Sequence, residues 1–278
     1  MEKLQIALKK ARASRTQAAT GQMPGTPVEG RRTTKPADGD LDELWGVFPS
    51  LEIDKRRLEK RRLLSYEGGA AAAPFDLLRT KLIRAAQTEN WRRIAIVSPG
   101  AGAGKTTTMV NLAFSLGRQP DLRTIAVDFD MRRPALHQVL GQTPKQGMAD
   151  VIYGRIGFDQ HGRRLNRNLV FGMNDRPARN SSEILQSHQT EALVTALEET
   201  FRPDYILFDM PPMLSTDDTY GFLSRVDAAL IVVEAERTPM AQIDVVERQV
   251  ADVTNVLGVV LNKCNYTDGV HAADYGYY

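Results

Sequence analysis

The sequence predicts an α/β fold, doubly wound, with a mostly parallel sheet covered by helices on both faces and a flexible extension before it. Three observations carry this. Short β-branched runs such as Arg93–Ser98 (RIAIVS), Tyr205–Asp209 (YILFD) and Ala228–Glu234 (AALIVVE) are apolar without clean alternation, as strands buried on both faces are. Longer stretches of helical character lie between them, the pattern of strand–helix–strand crossovers. A glycine-rich turn joins the first strand directly to a helix. In such folds ligands bind at the C-terminal ends of the strands.

Each element is placed in turn. Arg93–Ser98 is the first strand and Lys105–Gly117 the helix after it. Arg123–Asp128 (RTIAVD) is the next strand, with a helix from near Pro134. Asn168–Gly172 is a short strand, and a helix over 189–201 leads into Tyr205–Asp209. Ala228–Glu234, a helix near 240–253 and Leu257–Asn262 (LGVVLN) complete the series. This domain is expected over 75–265. Before it, residues 1–17 read as a basic amphipathic helix, and 18–74 as a linker plus a basic segment, Lys55–Arg62, expected to be a solvated helix face. Residues 266–278 form a tyrosine-rich tail.

The 278 residues carry a net charge of only +2, too little to argue for a nucleic-acid partner, and none is expected. The single cysteine, Cys264, excludes an intrachain disulfide and is expected to pack rather than react. The first fifteen residues are interrupted by charge and do not form a secretory signal, and no apolar run approaches the roughly 20 residues of a membrane helix. A cytoplasmic protein is expected, brought to the inner face of the plasma membrane by a partner. The four histidines show no metal-ligand spacing.

The turn after the first strand reads Pro99-Gly100-Ala101-Gly102-Ala103-Gly104-Lys105-Thr106-Thr107. Glycines let backbone N–H groups close around phosphate oxygens, and the helix beginning at Lys105 points its positive end at them. In this phosphate-loop pattern Lys105 reaches the β- and γ-phosphates of ATP and the Thr106 hydroxyl ligates Mg²⁺. The usual pattern has glycine where this chain has Pro99. Such a loop needs carboxylates beside it. Asp209 closes one apolar strand, and Asp128 and Asp130 close another, on one face by the period of two. The competing reading of strand-end aspartates as mere turn caps is weakest for Asp128 and Asp209.

From Asp128 the chain runs Asp128-Phe129-Asp130-Met131-Arg132-Arg133-Pro134-Ala135-Leu136-His137. This string resembles the Walker A′ motif of bacterial tyrosine kinases, the autokinases of capsule and exopolysaccharide export. Further matches over 75–278 are Leu78-Arg79-Thr80, Gly147–Val151, Ser182-Glu183-Ile184-Leu185, Asp209-Met210-Pro211-Pro212 and Gly258–Asn262. The resemblance implies that Lys105 and Thr106 bind MgATP and that Asp209 supports the metal. It implies that Asp128 takes the tyrosine proton, that Asp130 assists with Mg²⁺, and that Asn262 contacts adenine. It makes Tyr266, Tyr275, Tyr277 and Tyr278 the phosphorylated residues, and a membrane protein that controls polymer length, a polysaccharide co-polymerase, the activating partner. Transfer between subunits is expected, because the 13 residues from Asn262 to Tyr275 span at most about 45 Å.

Two departures matter. The family's E-x-x-R-x-x-R ring-building pattern falls on Ala73, Asp76 and Arg79, so ring assembly by that route is not expected. Positioning ATPases of cell division carry a lysine five residues before the loop lysine, where this chain has Gly100. An ATP-binding regulatory partner without kinase turnover is the other alternative.

Overall fold

The computed structural model describes residues 38–264, and the expectations for 1–17 and for the tail lie outside them. Seven strands form one sheet in the order β3-β4-β2-β5-β1-β6-β7. They are β1 (Arg93–Val97), β2 (Thr124–Asp128), β3 (Arg163–Leu165), β4 (Leu169–Gly172), β5 (Tyr205–Asp209), β6 (Ala228–Glu234) and β7 (Asn255–Asn262). All neighbours are parallel except β3, which runs antiparallel to β4 at one edge. Five of the six strands read from the sequence, β1, β2, β4, β5 and β6, form the interior of this sheet and the sixth, β7, one edge; Ile94 to Val97 and Ile125 to Val127 are shut off from solvent.

Eleven α-helical segments are described among residues 38–264, from α1 (Asp38–Gly46) to α11 (Met240–Ala251). In chain order they are α1, α2 (Lys55–Lys60), α3 (Ala73–Glu89), α4 (Lys105–Gly117), α5 (Leu136–Leu140), α6 (Met148–Ile152), α7 (Phe158–His161, a single turn), α8 (Ser181–Gln186), α9 (His188–Phe201), α10 (Asp218–Phe222) and α11. The sheet has a buried cluster on each face. One is built on Trp45, Phe129, Phe208 and Phe222, the other on Leu82, Leu112, Leu116 and Phe171.

The boundary expected at residue 75 is too late. Trp45 and Phe48 are buried, with rings 6.0 Å apart, and the Trp45 indole donates to the Phe201 carbonyl at 2.8 Å. Leu51, Leu58 and Leu63 are buried on the other face. The Leu51 amide donates to the Arg164 carbonyl at 2.7 Å, so the segment also covers the exposed edge of β3. The basic run does form a helix, α2, capped by the Asp54 carboxylate, with its charges solvated and only Leu58 turned inward. Cys264, expected to pack, is exposed.

Removing the Trp45 side chain leaves a cavity and an unsatisfied carbonyl at Phe201. Trp45→Ala is expected to lower unfolding free energy by about 3–5 kcal/mol in a denaturant titration. A chain beginning at residue 75 is expected to show no cooperative transition.

Candidate active site

The site stands at the C-terminal ends of β1, β2 and β5. β1 ends at Val97, and the chain turns through Gly102 and Gly104 with φ of 84° and 94° before entering α4 at Lys105. Glycine is required at 104 twice over. The backbone is left-handed there, and a Cβ would collide with the Asn262 side-chain amide. Asn262, at the end of β7, donates from that amide to the Ala103 carbonyl at 2.8 Å, so the last strand braces the phosphate loop from behind. The Pro99 carbonyl accepts from the Leu214 amide at 3.1 Å, and the Ser98 carbonyl from the Met213 amide at 2.9 Å. These two bonds tie the loop to the segment that follows β5.

Asp128 and Asp209 are register partners across the paired strands β2 and β5, and both are 0% exposed. The Thr106 hydroxyl donates to Asp209 Oδ2 at 2.5 Å, and the Leu136 amide to Asp128 Oδ2 at 3.2 Å. The other oxygen of each carboxylate, Oδ1, is buried with no hydrogen-bond partner. Burial raises the pKa of both. Asp209 is pushed up to about 7, opposed by the Lys105 charge and the Thr106 hydrogen bond. Asp128 is raised well above the ordinary range, by burial first and then by the neighbouring Asp209. Asp130, partly open to solvent, is raised by burial and lowered by the Arg133 amide bond at 3.0 Å and by Lys105.

Lys105 is itself buried, 7% exposed, yet pairs directly with neither carboxylate. Its charge is left for something between it and the strand ends.

Two buried carboxylate oxygens without donors fit a divalent cation, which would hold both groups ionised and satisfy the orphaned lone pairs. Among the described residues no group of three or more carboxylate, histidine or cysteine side chains encloses a metal. That is the donor set of Mg²⁺ bound through one or two carboxylates, a hydroxyl and a ligand's phosphates.

All sequence-identified residues of this site within 38–264 converge here. Two others were not anticipated. Asn174, just past β4, donates to the Asp128 carbonyl at 2.7 Å and accepts from the Met148 amide at 2.9 Å, fixing where β2 ends. A polar residue immediately after an apolar strand was the available signal. Asp218, between Tyr205–Asp209 and Ala228–Glu234 where no element is read from the sequence, is the second.

Comparison with known proteins agrees with this geometry. Residues 94–275 match the CobQ/CobB/MinD/ParA nucleotide binding domain. The chain belongs to this family. EpsB of Ralstonia nicotianae is 31% identical over 192 residues, which are 66% of this chain and 24% of that protein. The succinoglycan biosynthesis transport protein ExoP of Rhizobium meliloti is 29% identical over 182 residues, 64% of this chain and 23% of its own. This chain thus spans about a quarter of the length of these relatives. The tyrosine-protein kinase CpsD of Streptococcus pneumoniae is similar in size, 26% identical over 219 residues, with 78% of this chain and 91% of CpsD covered. The kinase domain of VpsO superposes with a TM-score of 0.62 over 70% of this chain and 96% of its own, at 24% identity, a likeness of fold. No helix among the described residues is long and apolar enough to cross a membrane.

With the Asp209 pKa raised by burial to about 7, the folded protein is expected to keep a proton between pH 3.8 and about 7 that the unfolded chain releases. Native protein therefore binds more protons in this window, and the group's contribution to stability falls as pH rises through it. In ligand-free protein, thermal unfolding of the wild type minus that of Asp209→Asn is expected to decline from pH 5 to pH 7.5. A flat difference would show that Asp209 is ionised throughout.

Proposed function

We propose that the chain is a protein-tyrosine autokinase that moves the γ-phosphoryl group of ATP, held with Mg²⁺, to tyrosines of its own C-terminal segment. The observation that carries this reading is Asp128 at the end of β2, with Asp130 two residues beyond it in the string Asp128–His137, set beside Asp209 and the buried Lys105. A relative of similar length bears the name of a tyrosine-protein kinase.

MgATP supplies the transferable phosphoryl group and part of the charge that offsets it. The backbone N–H groups of Gly100 to Thr106, with Thr107 behind them, hold the phosphates, and Lys105 places its ammonium against the β- and γ-oxygens. Thr106, Asp209 and Asp128 would hold the metal, through the Thr106 hydroxyl oxygen and the unpartnered carboxylate oxygens. Asp128 accepts the tyrosine hydroxyl proton as the new O–P bond forms and the bond to ADP breaks. Its burial keeps water from competing for that proton. Asp130, nearer solvent and beside Lys105, assists with Mg²⁺. Asn262, held against the loop at Ala103, would contact adenine.

The acceptors are Tyr275, Tyr277, Tyr278 and Tyr266, four of the eight tyrosines crowded into the last thirteen residues. β7 runs parallel to β6 and so delivers the chain to the same edge of the sheet as the phosphate loop. Of the ring-building positions, Asp76 and Arg79 are engaged within the chain. Asp76 accepts from Arg79, Ser115 and Arg118 of its own chain. We place the protein in the cytoplasm, at the inner face of the plasma membrane. There a membrane polysaccharide co-polymerase recruits and activates it, in keeping with a relative named for succinoglycan biosynthesis transport.

Mass spectrometry of the C-terminal peptide after incubation with MgATP is expected to find phosphate on these tyrosines in the wild type and none in Lys105→Ala. Labelling per molecule is expected to slow on dilution, as transfer between subunits requires. Bound ATP with an unmodified tail, unchanged by a co-polymerase, would instead make the chain a regulatory ATP-binding partner.

A further inference from the structure

The two adjacent arginines of the Asp128–His137 string have opposite fates. Arg133 is exposed and closes no ion pair among the described residues, whereas Arg132 reaches across to the segment beyond β5. Its guanidinium grips Asp218 through Nε and, at 3.3 Å, through Nη2, and lies 4.0 Å from Asp217. Asp218 is fully buried, at the first position of α10.

The same carboxylate accepts from the Ser181 hydroxyl at 3.0 Å, and Asp217 accepts from Ser182 at 2.8 Å, so α8 is bound to this point as well. One residue on, the Thr219 hydroxyl donates to the Pro211 carbonyl at 2.7 Å, in the turn directly after Asp209. Beneath these bonds Phe129, Phe208 and Phe222 pack ring against ring, with centroids 5.0–5.2 Å apart. These rings come from the residue after Asp128, the residue before Asp209 and α10 itself. Polar and apolar contacts thus join the same three elements.

We propose that Asp218, through Arg132, is a positioning residue that sets the spacing of the Asp128–Asp130 turn from the Asp209 turn, and thereby the metal-binding geometry. This rests on the reading of the site as one for MgATP. Asp218 touches neither nucleotide nor metal. It fixes the loops that carry the carboxylates, as outer-shell partners of metal ligands do. A bidentate fork on a buried carboxylate is the side-chain contact best suited to hold two loops at one distance.

The test uses the full chain with Asp218→Asn, Arg132→Lys and Ser181→Ala, each checked for folding by circular dichroism. A fluorescent ADP analogue is titrated with and without Mg²⁺, and inorganic phosphate release from ATP is followed. For Asp218→Asn, affinity without Mg²⁺ is expected to stay within about twofold of wild type. The Mg²⁺ concentration for half-maximal tightening is expected to rise about tenfold, and kcat to fall about tenfold with KM for ATP little changed. Arg132→Lys, which keeps the charge and loses the fork, is expected to lie between. It carries the same test if Asp218→Asn fails to fold, because the Arg132 side chain is 44% exposed. A folded variant with wild-type Mg²⁺ dependence and turnover overturns the proposal, as does an equal loss of affinity with and without Mg²⁺. Neither readout involves tyrosine. A shifted Mg²⁺ dependence in a protein that never phosphorylates its tail would leave the clamp standing and remove the kinase reading.

Discussion

Two carboxylates that cannot both be charged in isolation set the terms for this molecule. Asp128 and Asp209 end neighbouring parallel strands at the same register, closed off from water, each with one oxygen unpaired. Their desolvation is offset by protons in the ligand-free protein, or by a cation when one is bound. Sheet packing alone does not favour two acids in that position, so it is best understood as the place where folding stability is given up for binding.

Much of the surrounding structure holds that position. Thr106 at the head of α4 and the Leu136 amide each satisfy one carboxylate oxygen. Asn174 ties down the backbone at Asp128, and Asn262 braces the loop from β7. The residues after Pro212 hydrogen-bond to Ser98 and Pro99, coupling the phosphate loop to the turn beyond Asp209. Arg132 and Asp218 then close the circuit between the Asp209 and Asp128 turns. Each loop at this edge is therefore fixed by a neighbour as well as by its own strand.

The parts of this arrangement that follow local rules were legible in the sequence. α4 spans the residues expected from the glycine turn and the apolar run after it, and β5 and β6 match their apolar stretches residue for residue. What depends on tertiary contact was not. β3 is Arg-Arg-Leu, without strand propensity, and exists because β4 and the Leu51 segment pair with its backbone. Trp45, Leu51 and Leu58 lie among charges with too little periodicity to mark a buried face, so the stretch read as linker and basic segment. Asp218 follows a Ser-Thr-Asp run that has every appearance of an exposed turn, and the approach of Arg132, 86 residues earlier, and of Ser181 gives it a buried role.

The central claim is that burial raises the pKa of Asp128 and Asp209, so that a cation bound between them displaces protons. Calorimetry of MgATP binding in buffers of differing ionisation enthalpy measures this directly. The account predicts a net release of about one proton or more at pH 6.5, shrinking above pH 8 and absent when nucleotide binds without metal. Binding with no proton release at pH 6.5 would contradict it, because both carboxylates would then already be ionised in the free protein.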